Sequence, residues 1–450
     1  MGRGKLRAGV YELDLKPEPG MMTGDGAPVA VATRTPIMAR ALAFDNGEAA
    51  VCIVTLDLMG IDRADAWRAC ALAHDKCGID PDAVMLVASH THVAPASLPT
   101  LTEYARFFNP SFSDAMLAKM AAWRERVVLG IAEAVAGACA SLRPASVGVI
   151  TTELPWLVFN RRRHTRNYGV WTHWMGIPRD QAYLPEGPID PEFSLLVVRD
   201  EAHRPMAMLW NFTGHNSFHF DDQYAADLPY TVQQALDERM SEHVPCLYAP
   251  GCSGNTNYHD FNKPYGLDKA TDEVASAIMA IYREVCTVPE AEISYRKLEL
   301  DFAQRDTSQY FWKHDIEMKL PKWVDYGLRE LARFQAEARE QATYNSDMSV
   351  MRIGKIGIVG VPAEMFVEFG MDIKARSPFR NTLVCSYTND YAGYVATRRA
   401  FMGGSYEVWP TLNARVGREG GYLIVDKAAE ALKDLACGCQ LKRSVYHEDR

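Results

Sequence analysis

Two histidines spaced by one residue open the candidate chemistry. His90 and His92 stand in Ser89-His90-Thr91-His92, directly after the apolar run 83–88. On an extended backbone such a pair points the same way, so one imidazole could ligate a metal while its neighbour reaches substrate. A polar turn would account for the same four residues. His215 and His219 leave a second apolar run, 206–213, and at that spacing could share a helix face. No glutamate follows His215, so this is not the HExxH of a zincin. Glu364 lies just beyond the run 356–361, where Pro362 stops a strand. A carboxylate in the first turn of a following helix is also favoured by the helix dipole, without any catalysis. Tyr391 and Tyr394 sit in a Gly-bearing loop after the run 382–387, with Tyr406 in a second one. A phenolate ligates a metal because the cation stabilises it, although loop tyrosines also serve as core or lid aromatics.

Other residues invite different chemistry. The small, polar loop 249–257 holds Gly251, Cys252, Ser253 and Asn255. Cys252 or Ser253 could act as a nucleophile in a metal-independent hydrolase. The GxSxG elbow is only approached, because Gly254 directly follows Ser253. Asn160 precedes Arg161-Arg162-Arg163, a basic cluster in an acidic chain. A guanidinium fork suits a carboxylate or an anionic oxygen, and at least two of the three are expected in solvent.

Placement joins these pieces. His90, His215, Gly251 and Glu364 each follow an apolar strand within a few residues. In α/β folds the carboxyl ends of strands are where ligands bind. Two histidines and a carboxylate form a catalytic zinc set that leaves a position open for water.

The elements that must position them alternate irregularly. A hairpin is expected over 41–45 and 49–57, across Asn46-Gly47. Helices are expected over 63–77, 113–142, 231–241, 269–285, 322–343, 363–375 and 427–437. Strands are expected over 83–89, 146–153, 194–199, 206–213, 245–249, 291–301, 350–353, 356–361 and 382–387. The irregular stretch 160–192, with Tyr168, Trp171, Trp174 and Tyr183, is expected to wall a pocket. Although 450 residues at roughly 150 per domain suggest about three units, there is no repeat or low-complexity linker. The expectation is one large mixed-sheet α/β domain, 1–450, with flanking helices and long active-site loops at strand ends.

A net charge of −9 disfavours nucleic acid as a partner. No run of about 18 apolar residues exists, so stable membrane insertion is not expected. The N-terminus lacks the apolar stretch of a signal peptide, which points to the cytoplasm and to free rather than bridged cysteines.

Taken in order, these motifs resemble the catalytic domain of the neutral/alkaline ceramidase family. The likeness is carried by 40–44, 55–60, 89–92, Asn160-Arg161, 211–215, 251–257, 362–364 and 389–394, and spans about 8–436. It implies one zinc ion per chain, held by His90, His215, Glu364 and Tyr394, the second tyrosine of a YxxY. It implies further that His92 faces substrate, that Arg161 and Tyr406 serve catalysis, and that Asp57 is a supporting or structural acid. The loop 251–257 departs from the family's Gly-Asp-Val-Ser-Pro-Asn. Ser253 and Asn255 match it only across a one-residue gap, and Cys252 replaces the aspartate. Asn160, Gly251, Cys252, Ser253, Asn255 and Tyr391 would then line the substrate. No room is expected for the family's C-terminal immunoglobulin-like domain. The reading is a zinc hydrolase cleaving the amide or ester bond of a small soluble N-acyl substrate, open to homo-oligomerisation. A non-catalytic relative that binds a small ligand is the alternative from another class.

Overall fold

Strand segments with an apolar residue at nearly every position, such as 50–56, 84–88, 246–250 and 356–360, must be covered on both faces, and they lie within two sheets. The computed structural model describes residues 4–24, 28–109, 111–167, 169–172, 182–258, 266–307, 321–411 and 414–438. Its larger sheet has eight strands. They are β1 (Arg7–Asp14), β2 (Met38–Asp45), β3 (Ala50–Leu56), β4 (Val84–Ala88), β5 (Arg143–Glu153), β6 (Glu192–Asp200), β7 (Pro205–Phe212) and β8 (Cys246–Pro250). The order is β8-β7-β6-β5-β1-β2-β3-β4. The outer pairs β7/β8 and β3/β4 run parallel. The smaller sheet has four strands, β9 (Ile293–Ala303), β10 (Thr343–Ile353), β11 (Ile356–Gly360) and β12 (Asn381–Cys385), and again its last pair is parallel.

Alternation along the strands divides the core. In β7, Ala207 and Leu209 face the smaller sheet, while Met208, Trp210 and Phe212 face outward. In β12, Leu383 and Cys385 face the larger sheet and Val384 faces away. The two sheets therefore pack face to face, with helices on the outer surfaces. Helices α1 (Arg63–Cys77) and α2 (Asp114–Ala140) pack together beside β1 and β2. Ser113 caps α2 by accepting from the Met116 amide at 3.3 Å. Helices α3 (Leu228–Met240) and α4 (Leu267–Ile281) cover the outer face of β6 to β8. Helices α5 (Val367–Arg376) and α6 (Gly420–Cys437) cover the smaller sheet. Asn211 stitches the sheets together, donating to Ala249 O at 2.7 Å and to Val384 O at 3.0 Å.

The mixed α/β expectation holds, with local corrections. The helix expected from 363 starts at Val367, and Glu364–Met365 is instead a short strand pairing with Tyr394–Val395. Glu364 is thus not in a helical first turn. His215 and His219 share no helix, because residues 213–222 are irregular. Part of the stretch 160–192 forms a three-stranded sheet from Arg162–Thr165, Val170–Thr172 and Ala182–Pro185. Tyr168 and Trp174 lie outside the described residues. Nine described cysteines are free thiols. Among the described residues no helix is long and apolar enough to cross a membrane.

Candidate active site

The parallel pairs deliver their carboxyl ends to the seam between the sheets. His90 follows β4, His215 follows β7, the 251–257 loop follows β8, Glu364 follows β11, and Tyr391 and Tyr394 follow β12. His90 is not extended: its φ is +61°, in the left-handed region, as are Tyr387 (+55°) and Asn389 (+59°). Such backbone is costly for residues with a side chain and gathers at functional sites. The local ladder enforces it. The His90 amide donates to Leu58 O at 2.8 Å, and Asn389 pairs with Leu86 through both its amide and its side chain.

Three histidines converge. A ring nitrogen from each of His90, His92 and His215 lies within 4.8 Å of the others. His92 Nε2 and His215 Nε2 are 2.9 Å apart. His90 Nδ1 is 2.7 Å from Met59 O, which leaves Nε2 directed inward. His215 Nδ1 is 3.3 Å from Ser253 O. The Nδ1 atoms of His90 and His215 thus each have a carbonyl to fix the tautomer, as metal-ligating imidazoles require. The ring of Tyr387 stacks on His90, centroids 3.9 Å apart. Burial lowers the pKa of His90, and of His215 far more, where His90 and Arg161 add to the effect. Both imidazoles are therefore neutral, with lone pairs available.

Glu364 completes the cluster. Its Oε2 lies 3.3 Å from His90 Nε2. Both atoms are buried, and neither makes a well-formed hydrogen bond. Two buried polar atoms left in this state, facing each other, fit a cation between them. Burial opposes ionisation of Glu364, but His90, the Tyr391 phenol and the Arg161 charge outweigh it and hold the carboxyl below its usual range. The Tyr391 hydroxyl is committed to Glu364 Oε1 rather than to an open pocket.

Arg161 and two phenols form the second half. Arg161 Nη2 donates to Tyr406 at 2.7 Å, to Tyr394 at 3.2 Å and to Gly254 O at 2.7 Å. Nη1 donates to Asn257 at 3.2 Å. The two phenol oxygens are 3.0 Å apart. Arg161 and Arg162 are both buried, so the expectation of two solvated arginines is overturned; only Arg163 is half-buried. Arg162 bonds Glu186 and Glu407, a network that the charge run concealed.

The 251–257 loop supports the site from beneath. Gly254 has no room for a side chain, since a Cβ would stand 2.5 Å from Glu364 O. Ser253 Oγ meets the Tyr387 hydroxyl at 3.0 Å. Asn255 accepts from the Val367 amide at 2.8 Å and donates to Glu368. Asn160 is engaged with Pro188 O and the Arg162 amide. Gly251 bonds Phe212 O. The Cys252 thiol is fully buried against Gly370, and burial pushes its pKa up to about 12. Neither Cys252 nor Ser253 is hydrogen-bonded to a histidine through its side chain, so the geometry gives no activated nucleophile. The Asp57 carboxylate is taken up by a buried ion pair with Arg40 at 3.0 Å and by the Met38 amide at 3.1 Å.

Sequence reasoning missed Tyr387, Asn257 and the His219–Asp227 pair at 2.5 Å. It paired Glu407 with Tyr406 through the family resemblance but gave the carboxylate no role.

No family model matches the chain, and no curated protein does. Solved structures do. The fold superposes on a ceramidase complexed with C2 with a TM-score of 0.73 at 20% identity, covering 99% of this chain and 77% of the other. It superposes on the neutral ceramidase from Pseudomonas aeruginosa with a TM-score of 0.71 at 18% identity, covering 99% and 76%. At that identity the shared property is the fold.

Proposed function

We propose that this protein is a zinc-dependent amidohydrolase acting on a small N-acyl substrate. The observation that carries the reading is the pair of neutral, buried imidazoles of His90 and His215, with His90 Nε2 facing an equally unsatisfied Glu364 oxygen. Likeness in fold to two ceramidases gives it support. His90, His215 and Glu364 would hold the ion, with Tyr394 as the fourth donor. When bound, zinc supplies Lewis acidity toward a carbonyl and lowers the pKa of water toward about 7.

The chain's own groups do the rest. Arg161 carries a fixed positive charge into the site, contacts the proposed ligand Tyr394 and polarises the Tyr406 hydroxyl it touches. Donors of this kind, aimed at a developing oxyanion, are worth roughly 3–4 kcal/mol each. His92, half-buried with its Nε2 2.9 Å from His215 Nε2, is placed to move a proton toward the leaving amine. The test is metal analysis of the purified protein, followed by turnover of a panel of N-acyl amides with and without chelator. About one zinc per chain, with activity lost on chelation and restored by zinc, supports the proposal. Activity indifferent to chelator would defeat it.

A further inference from the structure

Two consecutive residues of the wall face two consecutive residues of the loop beyond Gly404. Arg161 meets Tyr406 at 2.7 Å, and Arg162 meets Glu407 at 2.8 Å. Glu407 is fully buried. Its other oxygen accepts from Thr172 Oγ1 at 2.6 Å and lies 3.5 Å from Arg161 Nε. Thr172 and Arg162 are cross-strand partners, so one rung of the wall grips both oxygens of Glu407. Glu186 holds Arg162 from the far side at 2.6 Å. Two guanidiniums thus stand against two carboxylates, all out of solvent.

Such a network is a poor way to gain stability, because desolvating the charges offsets most of their attraction. It does fix orientation. The Nη atoms of Arg161 are taken by Tyr394, Tyr406, Gly254 and Asn257, while its Nε has only the ion contact with Glu407. That contact and the four Nη bonds together hold the plane of the guanidinium. The backbone step from Glu407 to Tyr406 sets the phenol on the same scaffold.

We infer that Glu407 is a positioning residue. Clamped by Arg162 and Thr172, its carboxylate aligns Arg161 and Tyr406 on the histidine cluster. This rests on the reading that Arg161 and Tyr406 face the reacting carbonyl. Glu407→Gln keeps the shape and removes the charge. Its kcat should fall by roughly 100-fold, the effect of a small misalignment, with KM and zinc content little changed. In a Tyr406→Phe or Arg161→Ala background the same substitution should cost little more, because the groups act as one unit. Thr172→Val loosens one grip without touching a charge. It should give a smaller loss with the same kcat-against-KM split, and it serves if Glu407→Gln does not fold. Losses that multiply independently across the backgrounds, or lowered stability with unchanged kcat, would overturn the inference. A second readout needs no activity: in ¹³C-tyrosine spectra the Tyr406 resonance should move in Glu407→Gln, and a stationary one overturns the inference. A wild type without zinc-dependent turnover would sink the proposed function, while the spectra would still decide the alignment.

Discussion

Tyr391→Phe removes a single oxygen from the candidate centre, and its consequences can be worked out. The Tyr391 hydroxyl donates to Glu364 Oε1, with both side chains buried. A hydrogen bond to a charged acceptor contributes about 1.5–3 kcal/mol, and nothing in the shape of Phe replaces it. The other carboxylate oxygen lies 3.3 Å from His90 Nε2, so a carboxylate freed at Oε1 can rotate away from that position. At 1.4 kcal/mol per factor of ten, zinc affinity should drop about 10- to 100-fold, the usual cost of losing such a supporting partner. The assay is equilibrium dialysis against graded chelator with zinc quantified per chain, alongside urea unfolding of the metal-free protein. Tyr394→Phe is the contrast: as a proposed direct donor it should lose more affinity and also release Arg161. A folded Tyr391→Phe protein with wild-type zinc affinity would refute the assignment of Glu364 as a ligand.

Three further expectations follow from packing and charge. Asp57→Asn leaves buried Arg40 with only Glu12 at 3.1 Å, so unfolding free energy should fall by about 3–5 kcal/mol while kcat of the folded fraction holds; a fallen kcat would return Asp57 to the catalytic set. Gly370→Ala drives a methyl to 2.9 Å from Cys252 Sγ and 3.0 Å from its Cβ and should cost about 1–3 kcal/mol, recovered only in part by Cys252→Ala in the same chain, which removes Sγ alone; an undiminished loss in the double variant would contradict the packing. His243 is partly desolvated, but Glu12 and Asp237 together raise its pKa. Its contribution is therefore present at pH 5.5 and lost as the pH rises through the raised pKa. Half-exposed, it should amount to less than about 1 kcal/mol, read as a wild-type-minus-His243→Gln difference in urea midpoint that shrinks as the pH is raised and the imidazole loses its charge.

The parts of the site legible in sequence were those that end apolar strands. His90, His215 and Glu364 could be placed because a buried strand announces itself as a hydrophobic run, and its exit is one residue wide. The run 83–88 gave β4 to within one residue at either end. What stayed hidden depends on partners distant in the chain. The turn at His90 is left-handed because Leu58 O claims its amide, which no local pattern records. Arg162 is indistinguishable in sequence from a solvated arginine until Glu186 and Glu407 close on it. Pro362 suggested a helix around Glu364, but pairing with Tyr394 overrode that propensity.

The histidines and the carboxylate are separated in the order of synthesis as well as in space. Every strand of the larger sheet precedes residue 251, and every strand of the smaller one follows residue 292. A chain emerging from the ribosome can set His90, His92 and His215 together while Glu364 has yet to be translated. Until then Leu209, Leu247 and Ala249 present their bare face to the surroundings. Competence for any reaction at this seam is thus a late event of biogenesis, reached only when the second leaf closes over the first.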